Sequence, residues 1–198
     1  MSKPHWSLIA SACLMAGTLA ACDNEAGDAA QDDASNAEPA PTLEGVLSRD
    51  FAGEEIPAME VVAPSGTALD LGEMRGRPVL LNLWATWCVP CVVEMPMLDE
   101  LAGEYDGRLR VVTVNEDTRP EKVPQFFEER KIANLPQWLD DKGDLAITFG
   151  GGVTLPLTVL YDARGQEIWR MIGGYDWSSE EARALVDEAF AETADRSN

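Results

Sequence analysis

The chain has 198 residues, 45% of them apolar, with 35 Asp and Glu against 15 Lys and Arg and a formal charge of −20. That length supports one domain with a sizeable core. That charge excludes a surface built for phosphate backbones, so no nucleic-acid partner is expected, and a well-solvated acidic surface is the plain reading.

Residues 1–21 carry one cation, Lys3, ahead of the apolar run LIASACLMAGTLAA. The run has the length of a signal-peptide core and is too short for an ordinary membrane-spanning helix. LAAC, Leu19 to Cys22, resembles the lipobox of bacterial lipoproteins, in which the chain is cut before the cysteine and the thiol carries lipid. An ordinary secretory cut after Ala21 fits less well, because Leu19 stands where a small residue is preferred. The expectation is a lipoprotein signal peptide over 1–21, then an acylated Cys22 and an acidic tether over 22–45. The tether, DNEAGDAAQDDASNAEPAPTLEG, has too few large apolar residues to bury. Cleavage removes Cys13 and His5, the single histidine. The mature chain then has no His for acid–base catalysis, nucleophile activation or metal ligation.

The folded domain is expected over 46–195. AMEVVA (58–63) and ALDL (68–71), split by PSG, read as short strands around a turn, an N-terminal β-hairpin. PVLLNLWA (78–85) is a continuous apolar run, the pattern of a strand buried on both faces. A helix starts at Pro90, with Val92, Met95, Leu98 and Leu101 on one side and a kink expected at Pro96. LRVVTVN (109–115) is the next strand, followed by a helix around Val123, Phe126 and Phe127 and a short one over 143–149. LTVLYD and EIWRMIG flank ARGQ as a hairpin. A last helix opens on SSEE, read as a capping box of Ser178 and Glu181, and carries Ala182, Leu185, Val186, Ala189 and Phe190 on one face. Together these predict an α/β fold, a mixed central sheet flanked by helices.

Cys88 and Cys91 sit two residues apart between the buried strand and its helix. A lone pair supplies half of a zinc site, and no histidine remains to complete it. A structural disulfide closing so small a loop constrains the unfolded chain little. A redox couple fits best. Cys88 lies at a helix N-terminus, where free N–H groups and the helix dipole favour a thiolate. Pro90 occupies the first turn, where a missing N–H costs nothing. Cys88 is therefore expected to be the exposed attacking sulfur and Cys91 the resolving one. No metal and no cofactor beyond this disulfide is expected.

LLNLWATWCVPCVVEMP (80–96) resembles the active-site block of the thioredoxin fold, and more narrowly that of the TlpA/ResA-like membrane-tethered thiol–disulfide oxidoreductases. RGRPVLLNLWATWC matches that family's lead-in, TLPLTVLYDARG (154–165) its cis-proline loop and hairpin, and GGYDWSSEEARALV the entry to its C-terminal helix. The resemblance implies a thioredoxin-like fold and places further residues. Asn82 stands where thioredoxins carry a buried Asp, so the proton acceptor lies elsewhere. Glu94, three residues after Cys91, is the candidate base for the buried thiol; the alternative is that it only complements the positive end of the helix. Pro156 matches the cis-proline, and Leu155 before it would offer its backbone to an extended substrate. Trp87 would shape the rim around Cys88, while Trp84 fits core packing. The glycines at 150–152 read equally as a mobile substrate loop or a turn, and Trp138, Trp169 and Trp177 as packing. Val89 departs from the acid that some cytochrome-maturation members carry there.

The expected activity is reduction of disulfides in exported proteins, from a lipid anchor on the periplasmic side of a bacterial membrane. The resemblance implies a membrane electron donor of the DsbD/CcdA type and substrates in cytochrome c or copper-centre assembly. The rivals are a disulfide donor of the same fold and a non-catalytic lipoprotein holding Cu(I) on Cys88 and Cys91. A peroxidase role is weaker, since no Pro-x-x-x-Thr-x-x-Cys run is present.

Overall fold

The continuous apolar run becomes the centre of the sheet. In the computed structural model, which describes residues 43–150, 152 and 154–195, all six residues of β4 (Val79–Trp84) are buried. The signal segment, Cys22 and nearly all of the tether lie outside the described residues, as does Gly151 of the glycine run. Among the described residues no helix is long and apolar enough to cross a membrane.

Eight strands form one mixed sheet. In chain order they are β1 (Glu44–Ser48), β2 (Glu60–Val62), β3 (Ala68–Asp70), β4, β5 (Arg110–Asn115), β6 (Trp138–Leu139), β7 (Leu157–Tyr161) and β8 (Glu167–Tyr175). Across the sheet they run β1-β8-β7-β4-β5-β6-β2-β3. β4 pairs parallel to β5, with Leu81 opposite Val112, and antiparallel to β7, with Asn82 opposite Thr158. The helices are α1 (Val89–Glu104), α2 (Val123–Arg130), α3 (Asp144–Thr148) and α4 (Glu180–Asp195).

Alternation along β4 divides the core. Leu80 and Trp84 face α1, α2 and α4, packing with Met95, Leu98, Phe127 and Val186. Leu81 and Leu83 face the other way, toward Ile56, Val61, Leu71 and Leu145 of α3. Asn82 falls on the α1 side by the same alternation. Trp84 packs on Phe126 and Phe127, with ring centroids 5.0 and 5.9 Å away.

The differences from the sequence reading are local. β1 opens at Glu44, two residues before the boundary drawn from composition. Its apolar residues Val46 and Leu47 stay exposed, so the strand carries no burial signal. β6 is two residues long and left no period to detect. The predicted hairpin exists as β2–β3 and joins the sheet through β6, with Val62 opposite Leu139. α4 is capped by Ser179 instead of Ser178: the Ser179 hydroxyl accepts from the Ala182 N–H at 3.1 Å, while Ser178 is held by the Asp176 carboxylate. α1 runs unbroken through Pro96. The ARGQ turn closes on Asp162, whose Oδ1 accepts from the N–H groups of Arg164 and Gln166 at 2.8 and 2.9 Å.

Candidate active site

β4 ends at Trp84 and the chain turns directly into α1, so whatever sits between them lies at the end of the central strand. Cys88 is the N-cap residue of α1: its backbone is extended, and its sulfur accepts from the Cys91 N–H at 3.4 Å. Pro90 sits in the first turn, where its lack of an N–H breaks no bond. Cys88 and Cys91 are joined in a disulfide with their Cα atoms 5.3 Å apart. Cys91 is fully buried and Cys88 is 6% exposed. The sequence reading expected an exposed Cys88. It is the more accessible sulfur of the pair, yet largely covered in this oxidised form.

The rim around the disulfide is apolar and open. Trp87 is 70% exposed, and Val89 is exposed beside it. The loop that carries Trp87 is pinned by Asp117, whose carboxylate accepts from the Thr86 N–H at 3.1 Å and the Thr86 hydroxyl at 2.6 Å. A cleft of about 390 Å³ opens beside Trp87, between Thr86, Asp117, Arg119 and Lys122. Sequence reasoning did not find Asp117; it lies in a short polar stretch after β5 that gives no hint of its partner.

The Leu155–Pro156 peptide bond is cis, and the Pro156 carbonyl accepts from the Gly173 N–H at 2.9 Å. Leu83 pairs with Leu157, so continuing that antiparallel register brings Leu155 and Pro156 beside Trp84 and Ala85, at the end of β4 where the disulfide lies.

Glu94 is fully buried one turn beyond Cys91. Its Oε1 accepts from Asn82 Nδ2 at 2.9 Å. Its Oε2 accepts from the Tyr175 N–H and from the Trp177 indole Nε1, each at 3.1 Å. Burial pushes its pKa up to about 7, against the lowering effect of the Tyr175, Asn82 and Trp177 hydrogen bonds. Desolvation of the charged form outweighs three donors. The sequence alone gives Trp177 a packing role. It does stack on Trp169, with centroids 6.4 Å apart, but its indole also reaches the acid. Trp169 itself donates to the Leu185 carbonyl at 3.2 Å, a packing role.

The arrangement places a disulfide at a helix start, an apolar rim beside it and a buried carboxyl that gains or loses a proton near neutrality. That set can accept and release two electrons with the accompanying protons. Among the described residues no group of three or more His, Cys, Asp or Glu is placed to hold a metal ion.

A sequence profile of the AhpC/TSA family matches residues 52–168, more than half of the chain. The chain is 35% identical over 115 residues to the thioredoxin-like protein YneN of Bacillus subtilis (strain 168), a match covering 57% of this chain and 66% of that protein. It is 30% identical over 122 residues to the thiol-disulfide oxidoreductase ResA of Bacillus thuringiensis subsp. konkukian (strain 97-27), covering 61% of this chain and 69% of ResA. The pneumococcal exposed lipoprotein thioredoxin Etrx1, from Streptococcus pneumoniae strain TIGR4, has the same fold: the TM-score is 0.56 at 24% identity, over 66% of this chain and 98% of that one.

Proposed function

Since the chain belongs to the AhpC/TSA family and has ResA among its relatives, we propose that it is a thiol–disulfide oxidoreductase that mainly reduces disulfides of exported proteins. The observation that carries this reading is the Cys88–Cys91 disulfide at the start of α1 with buried Glu94 one turn further on.

In the reduced protein the Cys88 thiolate attacks one sulfur of a substrate disulfide. The substrate S–S bond breaks, a mixed disulfide forms, and the departing substrate thiolate takes up a proton. Cys91 gives its proton to the Glu94 carboxylate and attacks the Cys88 sulfur. The mixed disulfide breaks, the second substrate sulfur leaves as a thiolate and takes up a proton from solvent, and Cys88–Cys91 is oxidised. Two electrons have passed to the substrate. Trp87 offers an apolar surface beside the reacting sulfurs, and Leu155 offers its main chain to an extended substrate segment. A membrane dithiol donor of the DsbD/CcdA type returns the two electrons. Disulfides of cytochrome c or copper-centre assembly proteins fit as substrates. The LAAC motif supports a lipid on Cys22 and a site on the periplasmic face of the cell membrane; intact mass of the mature protein tests it, and an unmodified N-terminal Cys22 would sink the anchor.

The direction of transfer is tested by the reduction potential of Cys88–Cys91, equilibrated in dithiothreitol or glutathione buffers. The expected value is near that of thioredoxin, about −270 mV, and a value near that of DsbA, about −120 mV, would make the protein a disulfide donor instead.

A further inference from the structure

Asn82 leaves a polar atom unmatched beside the acid. Its Nδ2 donates to Glu94 Oε1 and to Thr158 Oγ1, each at 2.9 Å. Its Oδ1 is buried with no donor. Asn82, Glu94 and Thr158 are all sealed from solvent. A buried acceptor left without a partner is destabilising, so the arrangement needs a reason.

The reason lies in the two forms of Glu94. An ionised carboxylate only accepts, and three N–H groups reach it: Asn82 Nδ2, the Tyr175 main chain and the Trp177 indole. The neutral acid carries an O–H that must donate, and each of these neighbours is itself a donor. Turning the Asn82 amide over supplies the missing acceptor. Oδ1 then faces Glu94 and Thr158, and both hydroxyl groups donate to it. The amide oxygen and nitrogen are nearly equal in size, so nothing else has to move. The far side of the pocket offers Oδ1 no donor that would lock the amide in its present orientation. The proton on Glu94 is left to decide.

We propose that the Asn82 amide is a two-position relay, which turns over as Glu94 gains or loses its proton and pairs with Thr158 in both positions. This deepens, and rests on, the reading of Glu94 as the base for Cys91. Asn82 is thereby a positioning residue: it touches neither substrate nor sulfur chemistry and serves both forms of the acid. The other groups at the carboxyl do not compete for this role. Cys91 precedes it by one turn on α1, Tyr175 meets it through its main chain, and Asp176 is turned away toward Ser178. No Lys, Arg or second acid contributes to the displacement of its titration. Cys91, once reduced, and the Tyr175 phenol join Asp176 as titratable groups on the segments that touch it.

The test is NMR of the oxidised protein, with labelled Asn side chains and Thr methyl groups, followed through the Glu94 titration. At high pH the Asn82 side-chain amide protons should show a cross-peak to the Thr158 methyl group. Below the Glu94 midpoint that cross-peak should be lost, as the oxygen comes to face Thr158. Glu94→Gln donates as the neutral acid does, so the cross-peak should be missing at every pH in that variant. A cross-peak that persists through the titration, or that survives in Glu94→Gln, overturns the relay. Insulin reduction by the same protein keeps the two readings apart. An amide that turns in a protein unable to reduce disulfides removes the proposed function, and an active protein with a fixed amide removes the relay.

Discussion

Glu94 and its donors come from distant parts of the chain, and the acid answers to burial more than to any of them. Its carboxyl titrates at about 7 in the folded protein against 4.5 ordinarily, with burial the leading cause. Between those values the folded chain holds a proton that the unfolded chain has lost. Stability must therefore fall as pH rises through that window, by an amount on the order of 3 kcal/mol for this group. Glu116 acts with the same sign: burial first, then Asp140, raises it to about 8. Thermal melts from acid to mildly basic pH should show the wild type losing stability. Glu94→Gln should keep the Glu116 share of that slope and lose the Glu94 share. Parallel slopes for the two proteins would mean that the carboxyl is not desolvated as described. At this scale the sequence was legible where partners are close in the chain. Cys88, Cys91 and Glu94 follow from spacing and the family resemblance. The Trp177 contact spans 83 residues, the Thr158 contact 76, and the Asp117 contact 31. No local pattern encodes such pairs.

At the scale of elements, the approach of β8 to the start of α1 matters most. A Cβ added at Gly174 would fall 2.9 Å from the Pro90 Cβ and 2.7 Å from the Leu43 Cδ2. The proline ring, fixed in the first turn of α1, cannot swing aside. Gly174→Ala should therefore cost about 1–3 kcal/mol in a denaturant titration. It should also raise the Glu94 titration, because the Tyr175 N–H that holds the carboxylate is the next residue. An unchanged midpoint of unfolding would show that β8 yields at no cost. The sequence announced the elements that bury a face. β4 is apolar throughout, and α4 shows Ala182, Val186 and Ala189 at helical spacing. It did not announce β1, whose apolar side chains remain in solvent, or the choice of Ser179 over Ser178 as cap. That choice turns on the Asp176 carboxylate occupying the neighbouring serine.

For the molecule as a whole, the charge of −20 was legible from composition alone, whereas the strand order was not. Such a field sets encounter rates more than affinity. Reduction of an acidic protein substrate should accelerate as salt is added, and reduction of a basic one should slow. The comparison is of initial rates at low ionic strength and at ionic strength above physiological. Equal salt dependence for the two substrates would show that the face around Trp87 is shielded from the overall charge by Arg119 and Lys122, which line the cleft beside it.

The buried acid also limits how this chemistry can be moved to another scaffold. Grafting residues 80–96 would carry the sulfur pair, Asn82 and Glu94. It would leave behind Thr158, the Tyr175 main chain and the Trp177 indole. A recipient would inherit the nucleophile with its acidity set by a foreign neighbourhood. A chimera keeps the native proton affinity only if its β7, the end of its β8 and the turn into its α4 come from the same parent.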